Sequence, residues 1–204
     1  MRKRTAILIS GRGSNMMALI EAAQAKDYPA EIALVLSNRA DAKGLEFAKA
    51  AGIKTVVIDH KPFKLREEFD AAVHEALTAE RIDIVGLAGF MRIQSPCFVK
   101  QWEGRLLNIH PSLLPAFKGL NPQQQALDAG VRFSGCTVHF VSAELDSGPI
   151  IAQAAVPVLT EDTVETLEAR ILKAEHGLYH VALADVASGW ARLEGGRVVY
   201  RSVR

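Results

Sequence analysis

The chain has 204 residues, 49% of them hydrophobic and 23% charged, an ordinary globular composition. That length buries enough surface to fold without a disulfide or metal staple. The 24 basic and 23 acidic residues leave a net charge of +1, which gives no electrostatic case for nucleic acid or an anionic membrane as partner.

The chain opens on MRKRTAILIS, whose apolar run ends at Ile9 and is too short for a secretion signal. The stretch TAILIS (5–10) reads as a buried strand. Residues 15–26 read as a helix, with Met16, Leu19, Ile20 and Ala23 at three- and four-residue spacing. EIALVLSN (31–38) is a second strand, AKGLEFAKAAG (42–52) a helix closed by Gly52, and KTVVID (54–59) a third strand. REEFDAAVHEALTAE (66–80) is an amphipathic helix and DIVGLAG (83–89) a fourth strand. These strands are continuously apolar, which predicts burial on both faces and a parallel sheet.

RLLNIH (105–110) is a fifth strand, followed by a Pro- and Gly-containing loop and a short helix over 122–129. FSGCTVHFVS (133–142) and PIIAQAAVPV (149–158), joined by AELDSG, predict an antiparallel pair. A long helix covers 164–187, and WARLEGGRVVYR (190–201) a hairpin around Gly195 and Gly196. The expected fold is α/β: a Rossmann-like, doubly wound, mostly parallel sheet of about seven strands. Its C-terminal half carries an antiparallel part, and helices cover both faces. With no repeat and no linker, one domain over 1–204 is expected. The two cysteines, Cys97 and Cys136, lack CxxC spacing and predict a reduced, soluble, cytoplasmic protein.

The loop SGRGSN (10–15) lies between the first strand and the first helix, where small residues and a helix N-terminus favour an anion. Met16 replaces the third glycine of a dinucleotide fingerprint. The second strand ends in LSNR, and Asp41 beyond it is better placed as a helix cap than on a ribose. A smaller phosphate fits better, with Gly13, Ser14 and Asn15 as donors. The same residues would also serve a tight turn with Ser14 or Asn15 as N-cap.

Asn108 and His110 stand two apart on the fifth strand, so they share a face at its carboxyl end, just before Pro111. Burying both without partners costs on the order of a few kcal/mol. Either they are satisfied structurally or they line a site. An amide donor beside an imidazole suits stabilisation of a developing oxyanion. Asp146, in the turn ELDSGP, would stabilise an imidazolium if it reached His110, although spacing alone leaves it a plain turn residue.

The segments SGRGSN, AGFMRI, GRLLNIHPSLLP, VHFV and LDSGPIIAQ occur in an order and spacing that resemble the phosphoribosylglycinamide formyltransferase family, within the folate-dependent formyltransferases. The resemblance runs from Ile7 to about Tyr179. It implies transfer of a formyl group from 10-formyltetrahydrofolate to the amine of glycinamide ribonucleotide in purine synthesis, without a metal. It implies Asn108, His110 and Asp146 as a catalytic trio, and Gly13, Ser14 and Asn15 as the substrate-phosphate loop. Glu175 would lie near the substrate amine. Arg66, Met91, Arg92, Ile93, Gln94 and Asn108 would contact folate. Small molecules are then the only partners, and the chain is a monomer or weak homodimer.

Where many relatives carry a His/Thr/Arg-containing segment, this chain reads NPQQQAL (121–127), which puts loop contacts there in question. Arg66 equally reads as the charged first turn of a helix. His139 suits a site residue or a structural hydrogen bond, while His176 and His180 lack a third metal ligand. Alternatives are another folate formyltransferase, a formylfolate hydrolase, or a non-catalytic phosphate-binding α/β module. The tRNA-directed and hydrolytic kinds usually carry a further domain, for which 204 residues leave little room.

Overall fold

The computed structural model describes residues 1–201. The elements follow as β1 (Lys3–Ile9), α1 (Ser14–Ala22), β2 (Ala30–Ser37), α2 (Gly44–Ala50), β3 (Lys54–Val57), α3 (Arg66–Ala79), β4 (Ile84–Leu87) and α4 (Pro96–Gln101). After these come β5 (Leu106–His110), α5 (Pro122–Asp128), β6 (Phe133–Phe140), β7 (Ile150–Pro157), α6 (Val164–Ala187), β8 (Ala191–Glu194) and β9 (Arg197–Tyr200). The main sheet has seven strands in the order β3-β2-β1-β4-β5-β6-β7, and β8 and β9 form a separate hairpin. Pairing is parallel from β3 to β5 and antiparallel from β5 to β7, as expected for the two halves of the chain. Residues 202–204, included in the expected domain, lie outside the described residues. No helix among the described residues is long and apolar enough to cross a membrane.

Strand alternation divides the core. Ile7 and Ile9 of β1 point with Val35, Leu107 and Val138 toward α1, α2 and α6. Ala6 and Leu8 point with Leu34, Val85 and Leu106 toward Phe69 and Val73 of α3 and Phe98 of α4. Both faces of the central strands are therefore covered, which is why they read as unbroken apolar runs. The edge strand β7 alternates buried and exposed residues instead.

Helix α4 was not foreseen: six residues are too few for a periodic pattern. Its start is nonetheless written locally. Ser95 accepts from the Phe98 N–H at 3.3 Å, Pro96 fills the first helical position, and buried Asp70 accepts from the Ser95 N–H at 2.6 Å. Asp41 does not cap α2, whose N-cap is Lys43; its carboxylate takes both ends of the Arg39 guanidinium, at 3.0 and 2.7 Å.

The long helix α6 begins at a Thr163–Thr166 capping box. It is keyed to the sheet by Tyr179, fully buried, whose hydroxyl reaches the Leu87 and Leu107 carbonyls at 3.0 and 3.3 Å. A Cβ on Gly86 would sit 3.0 Å from that hydroxyl, so the glycine leaves it room. Tyr179→Phe is expected to cost about 1–2 kcal/mol, because it removes the hydrogen bonding of a fully buried hydroxyl. A lower urea midpoint with an unchanged slope would register it; an unaltered midpoint would show that the hydroxyl does not key the helix.

Candidate active site

The direction of strand addition reverses between β1 and β4, which opens a crevice at their carboxyl ends. Three segments meet there: the glycine loop after β1, the 88–94 segment after β4, and the end of β5. Asn108 stands beside Leu87, the last residue of β4, and opposite His139 on β6. His110 stands opposite Thr137.

His139 is 2% exposed, and burial pushes its ring toward the neutral form. Its Nδ1 lies 2.9 Å from the Phe140 carbonyl, which only accepts, so the proton sits on Nδ1. Nε2 then holds a lone pair, and the Asn108 side-chain amide donates to it at 3.2 Å. The Asn108 amide is thereby oriented, with its second N–H uncommitted to His139.

Asp146 occupies the β6–β7 connection in the left-handed region, at φ 48°. The connection returns close to β6: a Cβ on Gly148 would fall 1.7 Å from the Phe140 carbonyl oxygen, so no side chain fits there. The turn brings Asp146 Oδ2 to 3.4 Å from His110 Nδ1, with both side chains 7% exposed. Oδ1 lies 3.9 Å from His139 Nε2, and the Gly119 N–H donates to Oδ2 at 2.9 Å. The His110 Nε2–H donates to the Phe117 carbonyl at 2.9 Å. Asn108, His110 and Asp146 thus converge on one wall, and His139 joins them.

The loop after His110 is pinned from the sheet. Thr137 Oγ1 accepts from the Leu114 N–H at 3.0 Å and donates to the Ser112 carbonyl at 2.7 Å. The stretch 121–127 flanks the site: Gln125 donates to the carbonyls of Lys118 and Leu120, on either side of Gly119.

On the other side, α1 starts at Gly13, φ 71°, with no side-chain cap, so neither Ser14 nor Asn15 serves as N-cap. Gly44 closes on this loop; its N–H donates to the Gly11 carbonyl at 3.1 Å, and a Cβ there would fall 2.6 Å from Ile9 Cδ1. Asn15 turns inward instead. Its amide donates to Glu175 Oε2 at 2.8 Å, while its Oδ1 is buried without a partner. Burial raises the Glu175 carboxyl from 4.5 to about 7, and the Asn15 hydrogen bond only partly opposes this.

Beyond β4, Met91 and Ile93 are 78% and 53% exposed, large apolar side chains facing solvent. Arg92 lays its guanidinium over the Phe69 ring at 5.3 Å, with its Nε buried and unpartnered. Gln94 is buried and donates to the Arg92 carbonyl at 2.7 Å. Arg66 is exposed on the first turn of α3, three residues before Phe69. The two acidic and basic ends of the site are therefore separate: Glu175 lies by the glycine loop, and Arg92 lies by α3.

Comparison with known proteins agrees with this layout. A family described as formyl transferase matches residues 3–183. The trifunctional purine biosynthetic protein adenosine-3 of Bos taurus is 54% identical over 98% of this chain, which spans 20% of that protein. The phosphoribosylglycinamide formyltransferase of Haemophilus influenzae is 44% identical, over 94% of this chain and 91% of its own. A solved glycinamide ribonucleotide transformylase 1 from Symbiobacterium toebii superposes with a TM-score of 0.95 at 48% identity, covering 98% of this chain and 95% of that one. With the order of strands, the trio at the end of β5 and these matches in hand, the chain belongs to the formyl transferase family, among its phosphoribosylglycinamide formyltransferases.

Proposed function

We propose that this chain, as one transferase domain, moves the formyl group of 10-formyltetrahydrofolate onto the amine of glycinamide ribonucleotide in purine biosynthesis. The observation that carries the reading is the convergence of Asn108, His110 and Asp146 on one wall of the crevice, between a phosphate-type loop and an apolar rim. Matches to phosphoribosylglycinamide formyltransferases along nearly the full chain support the reaction.

The glycine loop presents the start of α1 to the substrate phosphate through Gly13, Ser14 and Asn15, whose first-turn N–H groups have no intrahelical partner. Glu175, perturbed to about 7, suits the substrate amine: ionised it pairs with an ammonium, and it is poised to take a proton from it.

The folate side fits the residues present. The exposed Met91 and Ile93 offer apolar surface to a ring system, and the orphaned Arg92 Nε with exposed Arg66 suits an anionic tail. When bound, the folate supplies the formyl carbon that the amine attacks. Asn108, oriented by His139, donates its remaining N–H to the oxygen on which negative charge develops. His110 turns its Nε2–H to the same charge, or through water to the departing nitrogen, on releasing the Phe117 carbonyl that it holds at 2.9 Å before substrate binds. Asp146 holds its ring from the Nδ1 side.

Mixing the chain with glycinamide ribonucleotide and 10-formyltetrahydrofolate and following folate absorbance tests the reading. A change that requires both substrates is expected. Folate conversion without the ribonucleotide would replace the reading by a hydrolase. Binding of both ligands without turnover would leave a binding module.

A further inference from the structure

We propose that Ser10, aimed by Asn38, is a positioning residue that fixes the segment Met91–Gln94 against the glycine loop. The proposal rests on the reading of these two loops as the folate side and the substrate-phosphate side.

Strand β1 is apolar from Ala6 through Ile9, and the next residue is a serine that is only 7% exposed; Asn38, just past the end of β2, is 3% exposed. For packing alone, apolar residues would cost less at both positions. Their polar atoms are instead consumed in one directed chain. The Met91 N–H donates to Ser10 Oγ at 2.8 Å, the Ser10 hydroxyl donates to Asn38 Oδ1 at 2.6 Å, and the Asn38 amide reaches His60 Nδ1 at 3.1 Å. A hydroxyl has one proton. Spending it on Asn38 points the lone pairs of Ser10 at Met91.

Ser10 also grips the other end of the same turn, donating its own N–H to the Gly89 carbonyl at 3.1 Å. The turn passes through Gly89 at φ 72°, a conformation no other contact of Met91 secures by a backbone hydrogen bond among the described residues. One residue along, Gly11 begins the glycine loop and accepts from Gly44. The glycine loop leaves from Ser10 and the turn after β4 is tethered to it, so one buried residue sets the separation of both ligand-facing loops. Since misplacement of reacting groups by about 1 Å costs on the order of 10²-fold in rate, such a joint has consequences for transfer without touching either ligand.

The test compares the unaltered chain with Ser10→Ala, Ser10→Thr and Asn38→Ala. The readouts are both KM values, kcat, amide exchange at Met91, and titration with 5-formyltetrahydrofolate as a non-transferring probe. In Ser10→Ala, KM for 10-formyltetrahydrofolate and Kd for the probe should rise roughly tenfold, as loss of one hydrogen bond predicts. KM for the ribonucleotide should stay within about twofold, and Met91 exchange should accelerate by a similar roughly tenfold factor. Ser10→Thr keeps the hydroxyl and should restore all three; Asn38→Ala should shift them in the same direction by less. Unchanged Met91 exchange and probe affinity in folded Ser10→Ala would overturn the proposal. So would a parallel rise in both KM values with a lowered melting temperature, the mark of a merely structural role. If the unaltered chain neither transfers formyl nor binds the probe, the folate reading falls, and the Met91 exchange comparison decides the strut by itself.

Discussion

His110→Ala is expected to lower kcat by roughly 10²–10³ while the chain stays folded, because removal of one oxyanion donor typically costs that much. His110 is 6% exposed, and its side chain donates to the Phe117 carbonyl, with the Asp146 carboxylate at 3.4 Å. Its loss removes one side-chain hydrogen bond and one contact with Asp146, so the melting temperature should move by no more than about 5 °C. Asp146→Asn separates charge from shape. Asparagine tolerates the left-handed backbone at φ 48° and still offers an oxygen to the Gly119 N–H, but it carries no charge for His110. It should lower kcat by a similar factor with both KM values within about threefold, since the interaction is made chiefly as charge develops. Turnover unchanged in either folded variant would remove these residues from the chemistry.

Glu175→Gln should alter both pH-dependent stability and substrate binding. Folded, Glu175 holds its proton up to about 7; unfolded, it would release it near 4.5. The folded state therefore binds more protons between these values. The group's contribution is fully present below about pH 4.5 and is lost as pH rises through about 7. That interval corresponds to roughly 3 kcal/mol. Glutamine keeps an oxygen for the Asn15 amide at the 2.8 Å contact but does not titrate. Urea unfolding of the variant between about pH 5 and pH 8 should therefore show a flatter profile, by about that amount. KM for glycinamide ribonucleotide should rise roughly tenfold above pH 7, where the native carboxylate would pair with the ammonium. Parallel stability profiles for the two chains would show that Glu175 titrates normally.

Much of the architecture was readable because it is local. The unbroken apolar runs of β1, β2 and β4 announced burial on two faces, and the long helix expected over 164–187 is α6 with those bounds. Asn108 and His110 could be assigned to one face because strand geometry alone dictates it. Element ends moved by a few residues where loops took over, as at Ala22, where α1 stops short of Lys26. Helix α4 escaped notice, although Ser95 and Pro96 were the signal for it.

The meeting of partners was not readable in this way. Nothing between Asn15 and Glu175 in the chain hints that they touch, 160 residues apart, and the perturbed carboxyl exists only because α6 buries it against α1. His139 entered the site through the β5–β6 register, which sets it opposite Asn108, and its orienting hydrogen bond depends on that register. Asp146 reached His110 through a left-handed turn that Gly148 allows to close on Phe140. Backbone sterics and apolar spacing act over a few residues, so composition and pattern suffice for strands, helices and shared faces. Long-range register and turn closure come from many weak contacts formed together across the core, and they emerge only when the whole sheet has assembled.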